Sequence, residues 1–181
     1  MKQTILLIFL LSATASIFAQ KKTTTSAVVA FDASTTIDAL PKAENKTVIA
    51  AVDTKTGTVA FEANVKNFAF SNPMIQNHFN SPKWFDSDAF PKFTFKGKID
   101  DLAKVDFAKD GTYAVTVSGD LTIKDVVKPV SAPATIVITG NTLETSAGFS
   151  IKLADYGISG APIEAGKVAK EPKITVTAEL K

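Results

Sequence analysis

Strict two-residue alternation of apolar and polar side chains limits this chain more than any other feature. From Thr112 to Ile123 the odd positions are Tyr113, Val115, Val117, Gly119, Leu121 and Ile123, and the even positions are mostly Thr, Ser and Asp. Successive side chains of a strand point to opposite faces, so this pattern describes a strand with one face buried and one wet. Twelve residues is long for a strand, which favours a tall barrel wall over a compact sandwich. The same period recurs at Val29 and Phe31, Val59 to Val65, Phe93 to Ile99, Ile136 and Ile138, Phe149 to Leu153, and Ile174 to Leu180; Val48 to Val52 is more uniformly apolar. Asp53 to Gly57, Asp110-Gly111, Gly140-Asn141 and Gly157 to Gly160 carry turn chemistry between these runs. The expected fold is all-β: about eight antiparallel strands whose apolar faces must be hidden together.

One stretch breaks the rhythm. Asn72 is a good N-cap, Pro73 suits the first helical position, and Ile75 and Phe79 fall on one side of a helix. The spacing predicts a two-turn helix over 72–80, stopped by Ser81-Pro82. Phe68 and Phe70 lie one position out of phase with Phe61. A bulge or bend near Asn67 is therefore expected, aiming both rings at the helix and the barrel mouth.

The N-terminus reads differently. Lys2, the apolar run Ile5 to Leu11 and the small residues of Ser12 to Ala19 have the layout of a cleavable secretory signal. The run is too short to span a ~30 Å hydrocarbon core, and no Cys follows it for lipid attachment. Cleavage after Ala19 is expected, with Ser16 as a second small-residue site, leaving residues 20–181 as one exported domain, periplasmic or secreted. Residues 20–26 read as a polar, frayed leader. A mature chain of this length buries roughly two-thirds of its unfolded surface and needs no disulfide staples, consistent with the absence of Cys.

Charge excludes some partners. The chain has 20 basic residues, all Lys, against 18 acidic ones, and no concentrated basic footprint for nucleic acid. Without Arg there is no guanidinium fork for a phosphate or quinone head. His78 is the single His, and a lone imidazole forms neither a metal site nor a triad unaided; it reads as a structural hydrogen bonder or a head-group contact, with Asn80 as a neighbouring polar group or helix cap. Asp86, Asp88, Asp100 and Asp101 sit in turn-like, Lys-flanked segments and read as solvated loops. Lys83, Lys92, Lys96 and Lys98 read as edge protection, or as contacts for anionic lipid heads. Asn45-Lys46-Thr47 matches a glycosylation triplet of no diagnostic weight. No phosphate-loop pattern is present, and no enzyme activity or cofactor is expected.

Three blocks, in order, resemble the YceI-like family. The first runs His78-Phe79-Asn80, Trp84-Phe85-Asp86 and Phe90 to Gly97; the second runs Gly119 to Asp125 followed by Lys128-Pro129-Val130; the third is Gly148 to Ile151 with Asp155 to Ile158. The resemblance covers about Phe61 to Leu180. It implies a secreted, lipocalin-like, eight-stranded antiparallel barrel around a long apolar cavity, a polyisoprenoid or quinone-like lipid as ligand, and homodimers in some members. On that reading Phe61, Phe93, Phe95, Val115, Val117, Leu121, Phe149 and Ile151 line the cavity, with Phe68, Phe70, His78 and Phe79 near its mouth. The alternative is a solid-cored exported barrel that binds a protein partner. Export carries its own check: N-terminal sequencing of the mature protein is expected to begin at Gln20, and a retained Met1 contradicts the signal reading.

Overall fold

A computed structural model describes residues 20–181; the expected signal segment and its cleavage sites lie outside the described residues. Among these residues nine strands form one antiparallel sheet: β1 (Lys21–Asp32), β2 (Lys42–Asp53), β3 (Thr58–Asn64), β4 (Ala69–Phe70), β5 (Lys92–Ile99), β6 (Gly111–Ile123), β7 (Val126–Thr139), β8 (Thr142–Ser150) and β9 (Lys173–Leu180). Their order is β1-β9-β8-β7-β6-β5-β3-β2, and β2 pairs back onto β1, so eight strands close on themselves. The two-residue β4 is an addition on the start of β2. Closure removes the exposed edges of the sheet and puts one face of every strand inside.

The leader expected to fray does not. Lys21 to Ser26 belongs to β1, where Lys21 to Thr24 face Asp53 to Ala50 of β2. The Thr-rich stretch is β-branched, which suits a strand, and the long β2 supplies the partner. At the other end of that ladder, Asn45 is wholly buried: its Nδ2 donates to the Asn64 carbonyl at 2.8 Å and its Oδ1 accepts from the Thr47 N–H and hydroxyl, both at 2.9 Å. The glycosylation triplet is thus a structural hydrogen-bonding unit.

The expected helix is present as α1 (Pro73–Asn80). The Asn72 side chain accepts from the Met74 N–H at 2.8 Å, and Ser81 ends the helix with its N–H donating to the His78 carbonyl. The phase change at Asn67 is achieved by a single 3-10 turn, Val65–Asn67, rather than a bulge. Asn64 caps it by accepting from the Lys66 N–H at 3.1 Å. A second short helix, α2 (Ala161–Glu164), lies in the connection to β9.

Two local features shape the wall. Gly97 of β5 faces Gly119 of β6 directly. A Cβ on Gly119 would lie 2.4 Å from the Gly97 Cα, and one on Gly97 would meet the Ser118 carbonyl at 2.5 Å and the Phe95 ring at 2.6 Å. The paired glycines let the strands pinch together and let the Phe95 ring fold over the gap. Along β7, pairing with β6 is continuous, but pairing with β8 begins only at Ala134. The next pair would fall on Pro133, which has no N–H to give, and Pro129 repeats the block. The upper part of β7, Val126 to Pro133, therefore stands free of β8.

The pinch generates a prediction. Gly119→Ala forces backbone apart and is expected to destabilise the fold by about 1–3 kcal/mol, read by denaturant unfolding; an unchanged midpoint contradicts the close approach.

Candidate ligand-binding cavity

The inner face is not uniformly filled. On β2 and β3, Val48, Ala50, Val52, Val59 and Ala63 are buried. On β5 to β9 the inward residues divide: Ile99, Ile123, Ile136, Ile138, Leu143, Ile174 and Leu180 are buried, whereas Phe93, Phe95, Val117, Leu121, Phe149 and Val176 are only half-buried, as is Phe61 of β3. Large apolar side chains that point inward yet are not covered border empty space rather than core. That space is a cavity of about 140 Å³. Its wall is almost wholly apolar, the polar residues on it being Thr94, Thr145 and Ser146.

The cavity brings together Phe61, Phe68, Phe93, Phe95, Val117, Leu121, Phe149 and Ile151 of the residues expected to line it. Val115 is inward on β6 but borders a separate groove with Asp100, Asp101 and Lys104. Phe70 and Phe79 are not on the wall. They form a plug with wall residues at one end of the barrel, where Phe79 lies 4.9 Å from Phe70, 5.7 Å from Phe68, 5.8 Å from Phe31 and 4.4 Å from Phe85, ring centre to ring centre. His78 stands exposed on the outer side of α1, its carbonyl accepting from Ser81; the structure does not bring it to the cavity. Sequence reading passed over Phe31 and Phe85, both on the wall. Phe31 shares the parity of Val29 and was findable on that ground; Phe85 lies in a loop with no period to reveal it.

The plug sits beneath α1 and the loop 81–91. Phe79 and Phe85 are 3% and 1% exposed, so this lid is well sealed, but it is not free of strain. Asp86 has φ of 49°, a left-handed conformation uncommon outside Gly, Asn and Asp. The Asn80 Oδ1 is buried without a hydrogen-bond partner, an omission that costs of order 1–3 kcal/mol. Across the mouth, the Lys124 ammonium donates to the Trp84 carbonyl at 2.7 Å and lies 6.0 Å from the centre of the Phe90 ring. Burial pushes the Asp32 carboxyl up, but hydrogen bonds from the Ser34 hydroxyl and N–H, together with Lys42, outweigh it and hold the group below the usual carboxylate range. Burial, with Asp155 adjacent, raises the Tyr156 phenol. Neither group lies on the cavity wall. No helix among the described residues is long and apolar enough to cross a membrane.

A model of the YceI-like domain matches residues 12–180. The chain belongs to the YceI-like family. Solved structures of the same fold include a polyisoprenoid-binding domain from Saccharophagus degradans implicated in plant cell wall breakdown, with 14% identity and a TM-score of 0.74 over 90% of this chain and 98% of that one. BcnA from Burkholderia cenocepacia gives 20% identity and a TM-score of 0.67, over 86% and 96%. The Campylobacter jejuni YceI protein gives 21% and 0.55, over 74% and 80%. Among curated proteins none matches the chain. At these identities the likeness of the structures concerns the fold, an eight-stranded antiparallel YceI barrel with one added strand.

The contrast between wall and plug is measurable. Phe79→Ala or Phe85→Ala empties a packed site and is expected to cost about 3–5 kcal/mol. Phe149→Ala, at a ring already facing empty space, is expected to cost under ~2 kcal/mol; equal losses in denaturant unfolding contradict a hollow wall.

Proposed function

We propose that this YceI-like barrel binds and stores or carries an apolar, isoprenoid-type lipid outside the cytoplasm, with the tail in the cavity. The observation that carries this reading is the band of inward, incompletely covered Phe, Val and Leu side chains around a nearly pure apolar space. The polyisoprenoid-binding domain of the same fold supports an apolar ligand, and the signal-like N-terminus supports export. Residues Phe61, Phe68, Phe93, Phe95, Val117, Leu121, Phe149 and Ile151 are the proposed tail contacts.

At about 140 Å³ the cavity is smaller than the several hundred Å³ of a typical ligand pocket. A long tail therefore enters by moving side chains. The half-buried rings are the movable ones, because turning them breaks few contacts. The strained lid offers a way in. The energetics allow retention without any charged anchor: burying about 20 CH₂-like groups at ~0.8 kcal/mol each yields on the order of 16 kcal/mol, against roughly 4–15 kcal/mol for association. A short tail falls below that cost.

The small volume also favours a second reading, a barrel that keeps its interior to itself and presents its loops to a protein partner. Titration with isoprenoid alcohols of increasing length separates the two. Affinity that climbs with tail length is expected; affinity indifferent to length, or no binding at any length, overturns the lipid reading.

A further inference from the structure

Exposed apolar side chains are distributed unevenly over the barrel. Among the described residues five large ones stand exposed, and four of them belong to the lid end: Ile37 at 68%, Leu40 at 49%, Met74 at 69% and Val127 at 54%. The fifth, Ile49 at 50%, sits on the outer wall of β2. The loops at the opposite end, 54–57, 100–110 and 140–141, expose none. Single apolar residues on a surface are ordinary; their restriction to one end of a tube is not.

The four are spread around the rim. Ile37 and Leu40 lie on the loop 33–41 between β1 and β2, Met74 lies in the first turn of α1, and Val127 follows the turn from β6 to β7. β7 stands three strands round the barrel from β1 and, the other way, four from β2. Val127 and the 33–41 loop therefore flank the mouth from opposite sides.

The backbone beside these side chains is already satisfied at two of the tips. In the 33–41 loop the Thr35 hydroxyl accepts from the N–H groups of Ile37 and Asp38, both at 3.1 Å, and the Asp38 carboxylate turns back to accept from the Leu40 N–H at 2.9 Å. At the start of α1 the Asn72 side chain accepts from the Met74 N–H, and Pro73 has no N–H to satisfy. Burying an unbonded amide is unfavourable, so tips with these N–H groups already bonded enter an apolar medium with less loss than an ordinary loop. Charge does not oppose entry either. Asp38 is the one charged residue of 33–41 and is half-buried, and α1 carries no Asp, Glu, Lys or Arg.

We propose that the lid end is a membrane-docking surface, with Ile37, Leu40, Met74 and Val127 dipping into the interface of a lipid bilayer and the mouth turned toward it. A folded partner needs one continuous face, whereas a bilayer is soft and admits separate tips around a lid. Binding at such an interface grows with the apolar area inserted. The docking stands on the tips alone; its use, the exchange of a water-insoluble ligand with the bilayer, rests on the tail reading above.

The test uses mature protein without residues 1–19, whose apolar run would hold lipid by itself, and vesicles of phosphatidylcholine. Wild type is expected to float with the vesicles to a degree that changes little with salt, because apolar insertion is not screened. Trp84, the single Trp and part of the lid loop, is expected to be quenched by phosphatidylcholine brominated on its acyl chains. The quadruple variant Ile37→Ser, Leu40→Ser, Met74→Gln, Val127→Thr is expected to bind about tenfold less or weaker still. Its thermal midpoint is expected to stay near wild type, since all four side chains are exposed. Ile49→Ser, which removes a comparably exposed side chain from the barrel wall, is expected to bind like wild type. Wild type that stays with the buffer, binding that survives the quadruple variant, or an equal loss in Ile49→Ser overturns the docking surface. Flotation without Trp84 quenching puts another face on the bilayer and overturns it as well. A wild-type dimer that the quadruple variant dissolves, with no vesicle binding, assigns the tips to a second copy and equally overturns it. Wild type that takes up a long isoprenoid alcohol yet ignores vesicles overturns docking and leaves the tail reading standing. Vesicle binding without alcohol uptake upholds docking and overturns its use.

Discussion

The interior of this protein is governed by a closed wall of eight strands that its own inward side chains do not fill. Closure satisfies backbone hydrogen bonds around nearly the full circumference and fixes the width of the bore, so only side-chain size decides what remains. Part of that face is packed shut, as at Val48, Ala50, Ile136, Ile138 and Leu180. Elsewhere it is not, and rings such as Phe61, Phe95 and Phe149 border a void instead of neighbours. Interiors are normally packed as tightly as organic crystals, so a void lined by the largest apolar residues of the chain is a departure that stability does not require. The facing glycines Gly97 and Gly119 belong to the same design. They let one ring lie against the wall where two side chains would otherwise fill the bore.

The two ends of the tube are unlike. At one, Phe31, Phe70, Phe79 and Phe85 interlock under α1 and its following loop, and the non-Gly residues in left-handed conformation, Asp86, Lys124 and Asp125, all lie in that loop or the facing turn. Strain of this kind persists only where surrounding contacts hold it, and it lowers the cost of opening. The unpartnered Asn80 side-chain Oδ1 adds to it. The prolines of β7 leave its upper half unpaired with β8 at the same end, so the wall is least constrained where the mouth lies.

Much of the fold was legible because alternation is a direct imprint of the pleat. The long odd-position run of β6, the phase break before Phe68 and the Asn72-Pro73 helix start each have a one-to-one physical cause in the sequence. The errors have causes too. Lys21 to Ser26 read as leader because its polarity masks β-branching, and only the length of β2 reveals that a partner exists. Phe85 escaped because loop residues carry no period. The Lys124-Asp125 turn has no Gly to announce it. His78 drew attention by chemistry, but which way a helix turns its residues depends on packing that the spacing of Ile75 and Phe79 only partly fixes, and it faces solvent.

Family membership and fold leave one claim on which the functional account turns: that the space inside the barrel is a seat for an apolar chain. Native mass spectrometry of freshly purified protein measures this directly. The account predicts a bound mass in the range of an isoprenoid lipid, retained under native conditions and lost on denaturation. A protein that flies at its bare mass, and stays so after incubation with a long isoprenoid alcohol, contradicts it.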